Sequence, residues 1–285
     1  MSVLDSIKEK AKADVKHILL PEGSEERTVQ AARIITDEKI AKVTLLGDEE
    51  EIKKVAEKFN VCLCGIDIIN PLTDPDFEHY ANGFYELRKA KGMTPEKARE
   101  TIKNTLFYAC MMIKEGKADG MVSGACHSTG DTVRPALQIV KMKPGCSRVS
   151  GAMVMLKGDE RYLFSDIAIN ITVDAQAMGE IAVESAKTAK TFDIDPKVAL
   201  LSFSTKGSAV SPESEKVAEA TKIAQELAPE LPIDGELQFD AAFVASVGER
   251  KAPGSKVAGH ANTFIFPSLE AGNIGYKIAQ RFGGF

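Results

Sequence analysis

The stretch SGACHSTGDTVRPALQ, residues 123–138, gathers small, hydroxyl-bearing and basic residues in one short span. A loop of this composition can cradle an anion. Ser128 and Thr129 bring hydroxyl donors, Gly130 lets a ligand approach the backbone, and Arg134 can grip a dianion with two N–H bonds. Pro135 disfavours helical geometry at Arg134 and itself suits a first helical position. That reading places Arg134 at a helix cap, beside free backbone N–H groups and the positive end of the helix dipole. An ordinary turn with capping hydroxyls and a solvated arginine would use the same residues, and on physics alone the two readings stand even. The G-x-x-x-x-G-K-[ST] spacing is absent, so this is not a Walker loop. His127 divides between a donor in a ligand loop and a structural histidine, with the balance toward the donor. Cys126 reads as a small packed residue, since no basic partner beyond His127 is evident.

A second stretch, LLSFSTKGSAVSPESEK, runs from an apolar strand into Ser204, Thr205, Lys206, Gly207 and Ser208. Lys206 among hydroxyls and a glycine can hold an anion as a point charge, although lysines are mostly solvated and that is the simpler reading of the residue by itself. Cys62-x-Cys64 has the form of half a metal site. No second Cys/His pair at ligand spacing accompanies it, so the pair reads as two ordinary thiols.

These residues need strands and helices to position them, and the chain alternates accordingly. HILLPEG and KVTLLG are short apolar runs, each followed by a charged segment of helical period, SEERTVQAARIITDEK and DEEEIKKVAEKF. IDIIN precedes a helix through Tyr85 to Lys91. A second helix is expected to open at Thr94-Pro95, an N-cap and first-position pair, and to run to about Lys117. DGMVSG then reads as a buried strand whose carboxyl end falls at Ser123-Gly124, where open α/β sheets bind ligands. The rhythm changes at RVSGAMVMLKGDERYLFSD, two strands joined at Gly158-Asp159 as a hairpin. Alternation resumes after Asp174 with a helix to about Phe192, the strand KVALLSF, a helix from Ser211-Pro212 and the strand TFIFP. The pattern predicts mostly parallel sheets covered on both faces, with a domain boundary near Pro144-Gly145, giving domains 1–145 and 146–285.

At 285 residues and 44% apolar, the chain can bury the cores of two domains. It has no apolar run long enough to span a bilayer, and its charged N-terminal stretch reads as an amphipathic helix without a signal core. The net charge of −5, without any basic block, disfavours a nucleic-acid partner. Five cysteines in no framework spacing fit reduced thiols in a cytoplasm.

Five segments, FYELRKAKG, SGACHSTGDTVRPALQ, LLSFSTKGSA, DGELQFDAA and KAPGSKVAGHANTFIFPSLEAGNIGYK, together resemble the phosphate acetyltransferases (phosphotransacetylases), and they keep the family's order to Phe285. The resemblance implies interconversion of acetyl phosphate plus coenzyme A with acetyl-CoA plus phosphate. It implies two α/β domains, three-layer sandwiches similar to isocitrate and isopropylmalate dehydrogenases with the site in the cleft between them, usually in a homodimer. No metal and no cofactor are implied, coenzyme A being a substrate. Two family arginines that bind coenzyme A carry over to Arg88 in ELRKAKG and Arg134 in TVRPAL, and the substrate-binding set becomes His127, Ser128, Thr129, Gly130, Arg134, Arg88 and Lys206. A coenzyme A thiol with a pKa of about 8.5 is mostly protonated near neutrality. Direct attack in a ternary complex therefore needs a base, with donors for the oxyanion and the leaving phosphate.

The sequence departs from the family at its end. The relatives continue with a segment returning to the first domain, which carries an NDLSRG-type motif and an aspartate. The serine and arginine help bind the acyl phosphate, and the aspartate is the base. These positions lie beyond Phe285, so the 285-residue chain by itself is expected to be strongly impaired, with apolar surface exposed on its first domain. Two rival classes stand beside the enzyme: a non-catalytic acyl-CoA or acetyl-phosphate sensing module, and a decarboxylating dehydrogenase of the same fold. The second would need an aspartate cluster for a metal and a nicotinamide site, neither of which is evident. A purely structural protein fits least, given two anion-suited loops at strand ends.

Overall fold

The computed structural model describes residues 3–143 and 146–285. The chain divides into two compact units, Val3–Lys141 and Met142–Phe285. The boundary expected at Pro144-Gly145 falls outside the described residues.

The first unit begins with α1 (Val3–Ala13), then β1 (Lys16–Leu20), α2 (Glu26–Asp37), β2 (Ala41–Leu46), α3 (Glu49–Lys58), β3 (Asp67–Ile69) and α4 (Phe77–Arg88). A 3-10 turn, Lys89–Lys91, leads to α5 (Pro95–Ile102), α6 (Thr105–Lys114), β4 (Gly120–Met121) and α7 (Thr129–Ile139). The four strands are parallel in the order β3-β2-β1-β4. Side chains alternate across such a sheet. Leu19 and Leu46 therefore join Phe84, Ile102, Tyr108 and Ile139 in a core under α4 to α7. Leu20, Val43 and Leu45 pack on the opposite face with Ala32 and Ile52 of α2 and α3.

Two expectations are corrected here. The helix predicted from Thr94 to Lys117 is broken in two, because Asn104 caps a new helix by accepting from the N–H groups of Leu106 at 3.0 Å and Phe107 at 3.3 Å. An asparagine side chain competes well for backbone donors, and here it ends one helix and starts the next. DGMVSG is not a buried strand. Its strand is only Gly120–Met121, half-buried at the sheet edge, and Val122, whose N–H still donates to the Leu19 carbonyl at 3.0 Å, is 65% exposed. The apolar surface expected on this domain is present as a groove along the sheet edge and α2, lined by Ile18, Leu20, Ile35, Ile40 and Val122.

The second unit contains β5 (Ala152–Lys157), β6 (Glu160–Ser165), α8 (Ala175–Thr191), β7 (Val198–Leu201), α9 (Pro212–Leu227) and β8 (Ile233–Leu237). It ends with α10 (Phe239–Phe243), α11 (Ala245–Lys251), β9 (Thr263–Ile265) and α12 (Leu269–Gly283). Its sheet order is β5-β6-β9-β7-β8, parallel except for the β5–β6 hairpin, which turns at Gly158-Asp159 with Gly158 at φ +57°. Val198 and Leu200 face α8 and α9, while Ala199 and Leu201 face the core with Ala242 of α10 and Ala252 just past α11. Each unit is thus a three-layer α/β sandwich. Among the described residues no helix is long and apolar enough to cross a membrane.

Candidate active site

Parallel pairing of β1 with β4 brings two loops out side by side, Pro21-Glu22-Gly23 after β1 and residues 122–128 after β4. Gly23 sits where a Cβ would lie 2.6 Å from the Leu46 carbonyl oxygen, so only glycine allows the first loop to lie this close to β2. Glu22 turns into the second loop. Its Oε2 accepts from the N–H groups of Gly124 at 2.9 Å and Ala125 at 2.8 Å. Its Oε1 accepts from those of Cys126 at 2.9 Å and His127 at 3.0 Å. Gly124, at φ +113°, starts the run of donors that converge on one point, a backbone nest suited to an anion.

The loop is therefore an anion cradle, as its composition suggested, but the anion it holds is the protein's own carboxylate. Glu22 has a side chain only 2% exposed. Burial alone would raise its pKa, but the N–H groups of Cys126 and Ala125 and the ring of His127 outweigh that cost and hold it below the usual carboxylate range. His127 Nδ1 lies 2.7 Å from Glu22 Oε1, which fixes the ring and leaves Nε2 without a partner among the described residues. Arg27 Nη2 ties the loop down further by donating to the Ala125 carbonyl at 2.7 Å.

The cap lies elsewhere than expected. Ser128 is the N-cap of α7, accepting from the Asp131 N–H at 3.2 Å and donating to Asp131 Oδ2 at 2.7 Å. Arg134 is consequently on the second turn, and Pro135 is inside the helix rather than at its start. The proline lacks the N–H that would have bonded the Asp131 carbonyl, and its burial in the core side of α7 overrides its preference for the first position. The Arg134 guanidinium is 61% exposed and lies 3.5 Å from Asp131, a loose surface pair that leaves it free to bind elsewhere. The first-turn N–H groups of Thr129 and Gly130 have no acceptor among the described residues, and a Cβ at Gly130 would meet only the Ser128 hydroxyl, 3.9 Å away.

Five buried polar atoms of this unit have no hydrogen-bond partner among the described residues: Ser123 Oγ in the loop, Thr132 Oγ1 on α7, Arg88 Nε at the end of α4, Arg33 Nε on α2 and Tyr108 Oη on α6. Orphaned buried donors are rare and call for a partner from outside the fold. Sequence reasoning did not single out Ser123, although it stands at the strand end, and missed Thr132 and Glu22 altogether. Glu22 is separated by about a hundred residues from the donors it serves, and no local pattern points to it.

The second loop is filled in the same way. Glu236 of β8, buried, accepts from Ser204 Oγ at 2.8 Å and from the Gly207 N–H at 2.7 Å. Lys206 is not the free cation its setting suggested: its ammonium pairs with Asp234 and donates to the Gly235 carbonyl at 2.8 Å. Thr205 and Ser208 bond within the loop, the Thr205 N–H reaching Ser208 Oγ at 2.9 Å. A third buried carboxylate, Asp166, accepts from the N–H groups of Gly151, Ala168, Ile169 and Asn170.

Glu22, Cys126 and His127 bring ligand atoms within 4.8 Å of one another, in the manner of a metal site. The donor set does not fit one. Four backbone N–H groups, the His127 ring and the Cys126 thiol already crowd the two Glu22 oxygens, which offer about four lone-pair directions, and the N–H dipoles present positive charge to any cation.

Comparison with known proteins bears on this site. A sequence model described as phosphate acetyl/butaryl transferase matches residues 2–285. The chain is 53% identical over 284 residues to the phosphate acetyltransferase of Bacillus subtilis (strain 168), covering 99% of this chain and 87% of that protein. It is similar to the EutD phosphotransacetylase from Staphylococcus aureus, with a TM-score of 0.90 at 52% identity over 100% of this chain and 88% of the other. A phosphotransacetylase from Streptococcus pyogenes gives a TM-score of 0.94 at 51% identity, over 99% and 86% of the two chains.

Proposed function

The chain belongs to the phosphate acetyl/butaryl transferase family, and from that premise we propose which of its residues serve the transfer. The activity is acyl transfer, acetyl phosphate and coenzyme A being interconverted with acetyl-CoA and phosphate. Neither rival reading, the sensing module or the dehydrogenase, gains support from the relatives.

In our reading the acyl phosphate meets the β4–α7 loop. The N–H groups of Thr129 and Gly130 and the Ser123 and Thr132 hydroxyls donate to phosphate oxygens, and His127 Nε2 reaches the same ligand. The positive end of α7 favours the dianion. Arg88 and Arg134 bind coenzyme A, whose phosphates and pantetheine amides offer acceptors to guanidinium groups. Lys206 drops to a minor role, since its charge is already paired with Asp234. The coenzyme A thiolate attacks the acetyl carbonyl directly, the carbonyl oxygen takes up negative charge, and collapse expels phosphate. No covalent enzyme intermediate, metal or cofactor is needed when both substrates are bound together. The base that takes the thiol proton is assigned, through the family resemblance, to an aspartate C-terminal to residue 285. We further propose a cytoplasmic homodimer acting on small molecules, with no nucleic-acid partner.

The observation that carries this reading is the set of unsatisfied donors in the loop and on α7: Thr129 and Gly130 N–H, Ser123 Oγ and Thr132 Oγ1. The test is acetyl-CoA formation from acetyl phosphate and coenzyme A, by residues 1–285 and by the same chain extended with the relatives' C-terminal segment. Turnover by the extended chain at least about tenfold above the shorter one supports the assignment of the base. Equal turnover overturns it.

A further inference from the structure

The loop between α3 and β3 carries Cys62 and Cys64, both exposed and both free thiols. They are one residue apart, and the Cys64 N–H donates to Cys62 Sγ at 3.3 Å. Arg33 of α2 crosses to this loop. Its Nη1 donates to the Cys62 carbonyl at 3.1 Å and to the Cys64 carbonyl at 2.8 Å, while Nη2 pairs with Asp37 at 2.6 Å. Arg33 Nε is buried and has no acceptor among the described residues. A cation is thus fixed beside two adjacent thiols, with Asp37 as the opposing charge.

The two thiols are unequal. The Cys64 thiol and its N–H bond to the Cys62 sulfur, and with Arg33 they hold the Cys62 thiol below its ordinary range, against the pull of Asp37. Cys64 is pushed above its range, chiefly by its hydrogen bond to Cys62 and by the charge there. A low-range attacking thiol beside a higher-range resolving one is the arrangement used in thiol–disulfide exchange. The other cysteines differ. Cys110 is buried, with its thiol pushed up to about 12, and Cys126 is raised by burial and by the Glu22 carboxylate.

We propose that Cys62 and Cys64 form a redox-active dithiol that reacts with low-molecular-weight disulfides, Cys62 as the attacking sulfur and Cys64 as the resolving one. Cys62 thiolate attacks one sulfur of R–S–S–R, forming a Cys62–S–S–R mixed disulfide and expelling RS⁻, which takes a proton from solvent. Cys64 then gives up its proton and attacks the Cys62 sulfur, expelling the second RS⁻. The protein dithiol is oxidised by two electrons, and the small disulfide is reduced to two RSH.

The experiment exposes the whole chain to oxidised glutathione and follows it by intact mass and peptide mapping. The expected product is a Cys62–Cys64 disulfide. Cys64→Ser should accumulate glutathione on Cys62, whereas Cys62→Ser should react at least about tenfold more slowly. Arg33→Gln should slow the first step while leaving its product unchanged. Both cysteines are exposed, so neither serine variant disturbs packing, and circular dichroism checks this. The proposal is overturned if Cys126 or Cys146 is modified first, if Cys64→Ser traps no adduct on Cys62, or if a Cys62→Ser/Cys64→Ser double variant reacts at the wild-type rate.

Discussion

Replacing Glu22 by glutamine tests the cradle directly, because the change keeps shape and removes charge. The carboxylate serves two pairs of backbone donors, Gly124 with Ala125 and Cys126 with His127. A glutamine amide presents one oxygen and one NH2, so whichever way it turns, one pair of N–H groups faces a donor. A buried unsatisfied donor costs about 1–3 kcal/mol, and the surviving pair loses its charge assistance. Two such donors cost about 2–6 kcal/mol, and because Gly124 and Cys126 are exposed residues that water can partly satisfy, the total with the lost charge assistance falls toward the lower end, about 3 kcal/mol. Global unfolding is a poor readout in a chain of two units. Amide hydrogen exchange at residues 124–127 reads the loop itself, and about 3 kcal/mol corresponds to exchange on the order of a hundredfold faster. The pH dependence gives an independent check. Glu22 is held below the ordinary carboxylate range when folded, so its contribution is fully present above the unfolded value near 4.3 and is lost as pH falls through the lower folded one. The gap between wild type and Glu22→Gln should therefore stay constant from neutral pH to about 5 and shrink below about 4. Exchange in the variant within about twofold of wild type at neutral pH, or a gap that persists unchanged into acid, would refute the reasoning.

Two further outcomes follow from the same geometry. Arg134→Ala should raise the KM for coenzyme A or acetyl phosphate by at least about tenfold with the fold intact, since among the described residues its exposed guanidinium pairs with Asp131 alone; a change under about twofold, from initial rates, removes Arg134 from the site. Gly235→Ala places a Cβ 2.3 Å from Thr221 Oγ1 and 3.0 Å from Leu200 Cβ, so amide hydrogen exchange in β8 and α9 should report a local loss of about 1–3 kcal/mol, and no change would mean that β8 and α9 separate freely.

Much of the fold was legible because its signals are local. Thr94-Pro95 and Ser211-Pro212 each sit where a side-chain oxygen meets the first free N–H groups of a helix, and both cap as expected, while the helix expected after Asp174 is capped by Asp174 itself. The Gly158-Asp159 hairpin is equally local. The misreadings arise where two local signals compete and packing chooses between them. Ser128 and Pro135 both mark a helix start, and the buried face of α7, with Pro135 and Ile139, selects Ser128. Asn104 can cap a helix or ride inside one, and nothing within a few residues says which. The strand β8 was missed because Asp234, Gly235 and Glu236 interrupt its apolar pattern. Those residues are there to pair with Lys206 and the Ser204–Gly207 loop, contacts the pattern does not record.

The same limit explains the half-right reading of the loops. Glycines, hydroxyls and converging N–H groups after a strand identify an anion cradle in either unit, but composition does not say whose anion. In a parallel sheet the neighbouring strand end supplies an answer from far along the chain: Glu22 for the loop after β4, and Glu236 for the loop after β7. A buried carboxylate held by backbone donors fixes its loop at the strand end at any pH where it is charged. That rigidity has a functional consequence. A loop already shaped by an internal anion need not be ordered by a substrate, so if the acyl phosphate binds as proposed, the donors left over at Thr129, Gly130 and Ser123 stand in place before it arrives. Preorganised donors of this kind lower the barrier because they are not reorganised as charge develops. On this account Glu22 acts on turnover through the loop and never through the ligand, and its loss should lower kcat/KM for acetyl phosphate while the Arg134-dependent affinity for coenzyme A is kept.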